Sequence, residues 1–336
     1  KEVFFEDEMK NYDFPVSRSK KLQTVMGYHS RRIVDHETCI SDLIISGFKH
    51  LFKNNILKKD DIDALIVITQ TPDQLMPPTS FIIHGMLELK EDTFCLDINQ
   101  GCAGFVVGLI QAFNLLENKN VNKVALVNAD VLSRKTSRND RNSYPLIGDA
   151  ASITVLKNEE SENIFSIMKV DGTKRSALEI PAGGMKMPSN LDTSKIKDHG
   201  DGNKRSLDDL IMDGASVFNF VQNKVPPLIE EILKETNKSK EDIDYFLFHQ
   251  PNKFMLTKLA ESIGVATEKM PNDVVKIYGN SSGVTIPAIM GGLISDELKL
   301  KENEVIFSGF GVGLTWAALY MKLNKLNFCE KIEHTL

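Results

Sequence analysis

The sequence predicts a layered α/β fold built from two copies of one unit. Short apolar runs of strand length alternate with longer segments whose apolar residues recur every three or four positions. The same order of segments appears twice. Asp61-Ile62-Asp63 returns as Asp242-Ile243-Asp244 and Val124 as Val305, each 181 residues on (242 − 61 and 305 − 124). Two stretches with small and apolar residues nearly all round supply helices for the interior, one per copy. The predicted architecture is αβαβα, two buried helices lying between two mixed sheets.

In the first half, SDLIISGFKHLFKNN has helical apolar spacing and leads into the strand ALIVIT at Ala64. FCLDI from Phe94 is a second strand. AGFVVGLIQAFNLL from Ala103 is long enough for a helix and too apolar for a surface one. KVALVN and SITVLKN complete the unit, the latter as a closing antiparallel strand. In the second half the order recurs as VFNFVQNKVPPLIEEILKETN, YFLFH, the junction YGNSSGVTIPAIMGGL, EVIFSG and TWAALYMKL. The halves divide at residues 1–165 and 166–336. Between them, residues 172–213 are rich in Gly, Lys, Ser, Asp and Met, and read as a long connection, either a lid or channel wall or a surface excursion.

Composition excludes several classes. The chain has 336 residues, 42% of them hydrophobic, and a formal charge of −6 without charged blocks. Nucleic-acid binding would need a concentrated basic face. No apolar run approaches the ~20 residues that span a bilayer. KEVFFEDEMK, at the start, lacks the basic and apolar parts of a signal peptide. The four cysteines, Cys39, Cys95, Cys102 and Cys329, lie far apart without metal-site spacing, so no metal is expected, and reduced thiols fit the cytoplasm.

Cys102 stands apart from the other three. It follows a strand and Gly101 and immediately precedes a buried helix, so the free amides at that helix start favour an ionised thiol. The same amides can hold the oxyanion formed when the thiolate attacks a thioester. His249 ends an apolar strand, where a side chain can face a cleft. Asn280 lies at the strand-to-helix junction of the second half. A lone cysteine is more often an inert core residue, and a lone asparagine there more often a turn or cap. The three together carry the reading.

These segments resemble the β-ketoacyl-ACP synthase III family of thiolase-fold condensing enzymes, through GCAGF at Cys102, HQPN at His249, GNSSG at Asn280 and GFGVGLTW near the C-terminus. MGYHSRRI, DRNSYPLIGDAAS, VDGTKRSALEIPAGG and MDGASVF follow in the family's order. Family members open with a strand ahead of the loop at which this sequence starts. The resemblance implies that Cys102, His249 and Asn280 are catalytic. Cys102 takes an acyl group from acyl-CoA or acyl-ACP, and a malonyl-thioester, expected as malonyl-ACP, loses carbon dioxide and attacks it. His249 and Asn280 then donate to the enolate oxygen, while the amides of Cys102 and Val312 form a second oxyanion hole.

The same resemblance implies a homodimer in which Met76 lines the partner's acyl pocket. It also implies contacts to CoA or carrier protein through Arg141, Asn252 and Lys253, and no metal or redox cofactor. Lys21 and Val25 replace the tryptophan and arginine that grip adenine in relatives using short acyl-CoA, and Phe254 replaces a carrier-docking arginine. Three rivals remain: a same-fold acyltransferase to a hydroxyl or amine, a cysteine hydrolase, and a non-catalytic condensing-fold subunit. The duplication and the absence of a CGSCW-like segment argue against the hydrolase, and the intact Cys-His-Asn set against the silent subunit.

Overall fold

A computed structural model describes residues 1–159, 163–199 and 202–334. In the first half α1 spans Val16–Met26, α2 Ile40–Lys53, β1 Ala64–Ile68, α3 Thr79–Leu87, β2 Phe94–Ile98, α4 Gly104–Leu116, β3 Lys123–Asp130 and β4 Ala150–Lys157. The second half has β5 Phe165–Val170, α5 Gly214–Glu235, β6 Tyr245–Phe248, α6 Lys253–Ile263, α7 Val274–Tyr278, α8 Thr285–Gly292, β7 Asn303–Gly311 and β8 Thr315–Leu323. The sheets run β2-β1-β3-β4 and β6-β7-β8-β5. Both are mixed: β1 is parallel to β2 and β3, β6 to β7, and the closing strands β4 and β8 are antiparallel.

The repeated Asp-Ile-Asp sets strand register in both halves. Asp63 donates its N–H to Lys123 O at 3.0 Å, while its Oδ2 accepts from Asn122 N at 2.8 Å and Lys123 N at 3.0 Å. Asp244 repeats this on the equivalent strand, with N to Glu304 O at 2.9 Å and Oδ2 accepting from Glu304 N at 2.9 Å. A short carboxylate here satisfies an amide at the open end of the neighbouring strand, which defines where pairing begins.

Strand alternation then builds five layers. Ile66, Ile68, Leu126, Leu247 and Phe307 face inward onto Phe105, Val106 and Leu109 of α4 and Ile286 and Ile289 of α8. Leu65, Val67 and Val127 face outward onto α2 and α3. Phe246, Phe248 and Ile306 face α5 and α6 on the other side. The two buried helices begin at Gly104 and Thr285, again 181 apart (285 − 104).

The copies diverge at two places. Among the described residues β5 has no counterpart beside β4 in the first sheet. Where β2 would recur, the chain instead forms α7 and reaches Asn280, whose N donates to Leu146 O at 2.7 Å and whose O accepts from Gly148 N at 3.0 Å. That single bridge replaces an edge strand and pins Asn280 to the first half. The loop it grips is itself held from beneath. Arg31 pairs with buried Glu8 at 2.6 Å, donates to Ile147 O at 2.6 Å and stacks over Tyr144.

The 172–213 connection is closed at its base by pairing of Ile211 with Glu179 and Met212 with Leu178. Arg205 forms an ion pair with buried Asp140 at 3.2 Å, and Leu210 N donates to Lys135 O, so the segment is strapped onto the first half. Residues 200 and 201 of this connection lie outside the described residues. No helix among the described residues is long and apolar enough to cross a membrane.

Candidate active site

The carboxyl ends of the parallel strands in both sheets meet at one place, the usual position for an α/β site. Cys102 leaves β2, Asp130 ends β3, His249 follows β6, and Gly311 ends β7. The second half presses closely on the nucleophile turn. A Cβ on Gly311 would lie 2.9 Å from Cys102 Sγ, and one on Gly309 would lie 2.6 Å from Ala103 Cα. Glycine at these positions is what lets the β7 backbone pass directly over the sulfur. Asn128 fills the space between the two helix starts, and a Cβ on Gly283 would come within 3.0 Å of its Oδ1.

The environment of Cys102 departs from the sequence expectation. Its thiol is pushed up to about 11, first by burial and then by the charge of Asp130. The Ser282 side chain and the backbone N–H groups of Cys102 and Val312 act in the opposite direction, without overcoming those two. The expected activation at the helix start does not overcome burial and Asp130, and α4 begins at Gly104, two residues later. The resting thiol is therefore protonated at neutral pH. The backbone N–H groups of Cys102 and Val312 are the two that act on the sulfur.

His249 is 2% exposed, and burial lowers its imidazole to about 3, so the ring is neutral. Its N–H on the main chain donates to Ser308 O at 2.8 Å, its Nδ1 lies 2.8 Å from Thr285 Oγ1, and Phe310 packs edge-on at 5.6 Å between centroids. Asn280 is buried, and its Oδ1 accepts from Ser282 N at 2.9 Å. This leaves the amide nitrogen, a donor, without a hydrogen bond among the described residues.

The outer residues divide. Met76 is 82% exposed in the single chain. Arg141 is held by Asn203 Oδ1 at 3.2 Å and stacks over Phe14. Asn252 caps α6, its Oδ1 accepting from Met255 N at 2.9 Å. Lys253 is half exposed, 3.7 Å from Asp273, with its stem against Gly27 at the end of α1. Phe254 stacks on Phe218. Four contributors escaped the sequence reading: Thr285, Ser282, Asp130 and Phe310. Ser282 lay within the quoted GNSSG and Phe310 within the glycine-rich turn, but Asp130 and Thr285 carried no local signal.

A duplicated αβαβα core whose thiol, imidazole and amide are each in contact with one residue, Ser282, matches the thiolase-fold condensing enzymes. Models of 3-oxoacyl-[acyl-carrier-protein (ACP)] synthase III match residues 96–172, and of its C-terminal part residues 233–323. A β-ketoacyl-[acyl-carrier-protein] synthase III of Streptococcus mutans is 32% identical over 301 residues, covering 88% of each chain. One from Synechocystis is 31% identical over 299 residues, covering 88% of this chain and 87% of the relative. The crystal structure of a 3-oxoacyl-(acyl-carrier protein) synthase from Burkholderia xenovorans LB400 superposes with TM-score 0.91 at 32% identity, covering 99% of this chain and 93% of that one. The chain belongs to the 3-oxoacyl-ACP synthase III family, and is a condensing enzyme of that type.

Proposed function

We propose that Cys102 accepts an acyl group from acyl-CoA or acyl-ACP and that the resulting thioester is condensed with a malonyl-thioester, preferentially malonyl-ACP. The observation that carries this reading is that the backbone N–H groups of Cys102 and Val312 act on the thiol, while Ser282, which also acts on it, contacts both donor-bearing Asn280 and neutral His249. During acylation the two amides receive the oxyanion. During decarboxylation Asn280 and His249 donate to the oxygen of the developing enolate, which then attacks the acyl-cysteine. Each step uses only side chains and amides of the protein, so no metal or redox cofactor enters the scheme.

Acylation from the donor makes the enzyme an acyltransferase in its first half-reaction. Commitment of the Asn280 oxygen to Ser282 N presents the nitrogen as a donor, which favours condensation over simple transfer to a hydroxyl or amine. Arg141 and the amide nitrogen of Asn252 are assigned to the donor's nucleotide or pantetheine arm. Lys253, beside α1 with Arg18, Lys20 and Lys21, is assigned to the carrier. The exposed apolar side chains of Leu75, Met76, Phe81, Met86 and Phe94 lie along the α3 and β2 edge, and a second copy is assigned to cover them with Met76 entering the partner's acyl pocket. Sedimentation at micromolar protein tests the dimer. The four free cysteines suit the cytoplasm.

The deciding experiment incubates the protein with acyl-CoA and acyl-ACP thioesters and reads intact mass with and without malonyl-ACP. The expected result is an adduct absent from Cys102→Ala and discharged as a β-ketoacyl product two carbons longer. An adduct indifferent to malonyl-ACP overturns condensation, and no adduct from any thioester overturns Cys102 as acyl carrier.

A further inference from the structure

The acylation step proposed above begins with a protonated thiol, and something must receive that proton. His249 is poorly suited to the task. If it donates to an enolate, its Nε2 carries the ring hydrogen, and its Nδ1 is already engaged by Thr285. No lone pair of the imidazole is then free to accept from sulfur.

A second route lies on the other side of Cys102. The Ser282 side chain is close enough to favour the ionised forms of both the Cys102 thiol and the Asp130 carboxyl. Its Oγ is buried and makes no bond of full geometry with any group, so the hydroxyl is uncommitted. Its backbone is held at φ +55°, a left-handed conformation that serine seldom adopts, by Asn280 Oδ1 on its N–H and Thr285 Oγ1 on its carbonyl. Strain at a non-glycine residue needs such over-determination, and here it holds the side chain beside both nucleophile and carboxylate.

Asp130 is set up to match. It is 2% exposed, and one oxygen, Oδ1, accepts from Gln70 N at 2.8 Å, Thr71 Oγ1 at 3.1 Å and Thr69 Oγ1 at 3.2 Å. Its Oδ2 has no hydrogen bond among the described residues. No cation neutralises it through an ion pair among those residues. A buried carboxylate without a counter-ion, 2% exposed beside the nucleophile, is costly to the fold, and groups of this kind cluster at functional sites.

We infer that Ser282 and Asp130 form a proton relay for acylation of Cys102. As Sγ attacks the donor carbonyl carbon, the S–H proton passes to Ser282 Oγ and the Ser282 O–H proton passes to Asp130. The S–C bond to Cys102 forms, and the bond between the acyl carbon and the donor sulfur breaks. The departing thiolate takes its electron pair and recovers the proton from Asp130 through Ser282. Asp130 ends ionised, the donor ends as a free thiol, and no outside acid or base is consumed. Burial holds Asp130 at about 6, so at pH 7 it is ready to accept and is still a competent donor afterwards.

The inference rests on Cys102 being the acyl acceptor, so the wild-type protein and Cys102→Ala are run first with acetyl-, butyryl- and octanoyl-CoA. If wild type takes no acyl group, that assignment fails and the relay falls with it. With the best of these donors, Ser282→Ala and Asp130→Asn are expected to acylate roughly 10²-fold more slowly. Malonyl-CoA decarboxylation, measured for each variant in the Cys102→Ala background, is expected to fall at least about tenfold less than acylation, because His249 and Asn280 remain. Equal losses in both half-reactions would assign the two residues a structural role only. Acylation at the wild-type rate would overturn the relay outright. Ser282→Ala removes a single oxygen and decides the matter if Asp130→Asn does not fold.

Discussion

Nδ1 of His249 and Oγ1 of Thr285 lie 2.8 Å apart, and this contact couples the chemistry of the imidazole to one threonine hydroxyl. The hydroxyl accepts from Gln250 N at 3.2 Å and has a single proton to give. Two acceptors are in reach, Nδ1 and Ser282 O at 3.0 Å. Given to Nδ1, that proton leaves the ring hydrogen on Nε2, the arrangement a donor to an enolate oxygen requires. Thr285→Val is expected to slow condensation about tenfold while sparing acylation. Nitrogen NMR of the ring should show the Nε2–H tautomer in wild type, and an Nδ1–H tautomer there would sink the assignment.

The state of the Cys102 thiol can be read separately. Burial and Asp130 hold it near 11, so the neutral form dominates at pH 7. Alkylation by iodoacetamide, followed by the mass of the Cys102 peptide, is expected to keep accelerating with pH up to about 11. A plateau near pH 7 would mean that the amides of the turn outweigh burial after all.

Asn280→Asp tests the donor role with little structural change. A carboxylate oxygen can still accept from Ser282 N, but the amide donor is lost and a negative charge faces the enolate. Condensation is expected to fall by about 10²–10³-fold, the usual cost of removing an oxyanion donor, with acylation retained. Comparable loss in acylation would place Asn280 in the first step instead.

Gly311→Ala tests the close approach of the two halves. Its Cβ would sit 2.6 Å from Cys102 Cβ and 2.9 Å from Sγ, so either the β7 backbone or the nucleophile must shift. Acylation is expected to fall by more than about 100-fold, since displacement of reacting groups by 1 Å has that effect. An active variant with unchanged melting temperature would contradict the geometry.

Acid stability carries two opposed contributions. His249, lowered to about 3 in the fold, takes up its proton more readily when unfolded, so its contribution is lost as pH falls from about 6.5 toward 3. Asp130, raised to about 6, does the reverse, and the stability it confers is present below about 3.8 and lost as pH rises through 6. Between about pH 4 and 6 the two offset each other. Asp130→Asn, which fixes the neutral form, is therefore expected to raise stability at pH 7 and above while leaving it little changed below about pH 3.8, as read by tryptophan fluorescence of Trp316.

The local pattern by itself determined the architecture. Apolar runs of strand length, two all-apolar helices and the 181-residue repeat of Asp-Ile-Asp name elements whose periodicity is written in neighbouring residues, and each of those elements forms where the pattern places it. Cys102, His249 and Asn280 were legible for the same reason, since each lies at a strand end beside glycine or polar residues. Only the tertiary structure decided what those groups are like. The thiol's elevated range comes from Asp130 at the end of another strand, the ring's tautomer from Thr285 on another helix, and the aim of Asn280 from a bridge to the 146–148 loop. Proton affinity depends on burial and on charges a few ångströms away, and residues 28 or 36 positions apart in the chain have no sequence signature of being neighbours.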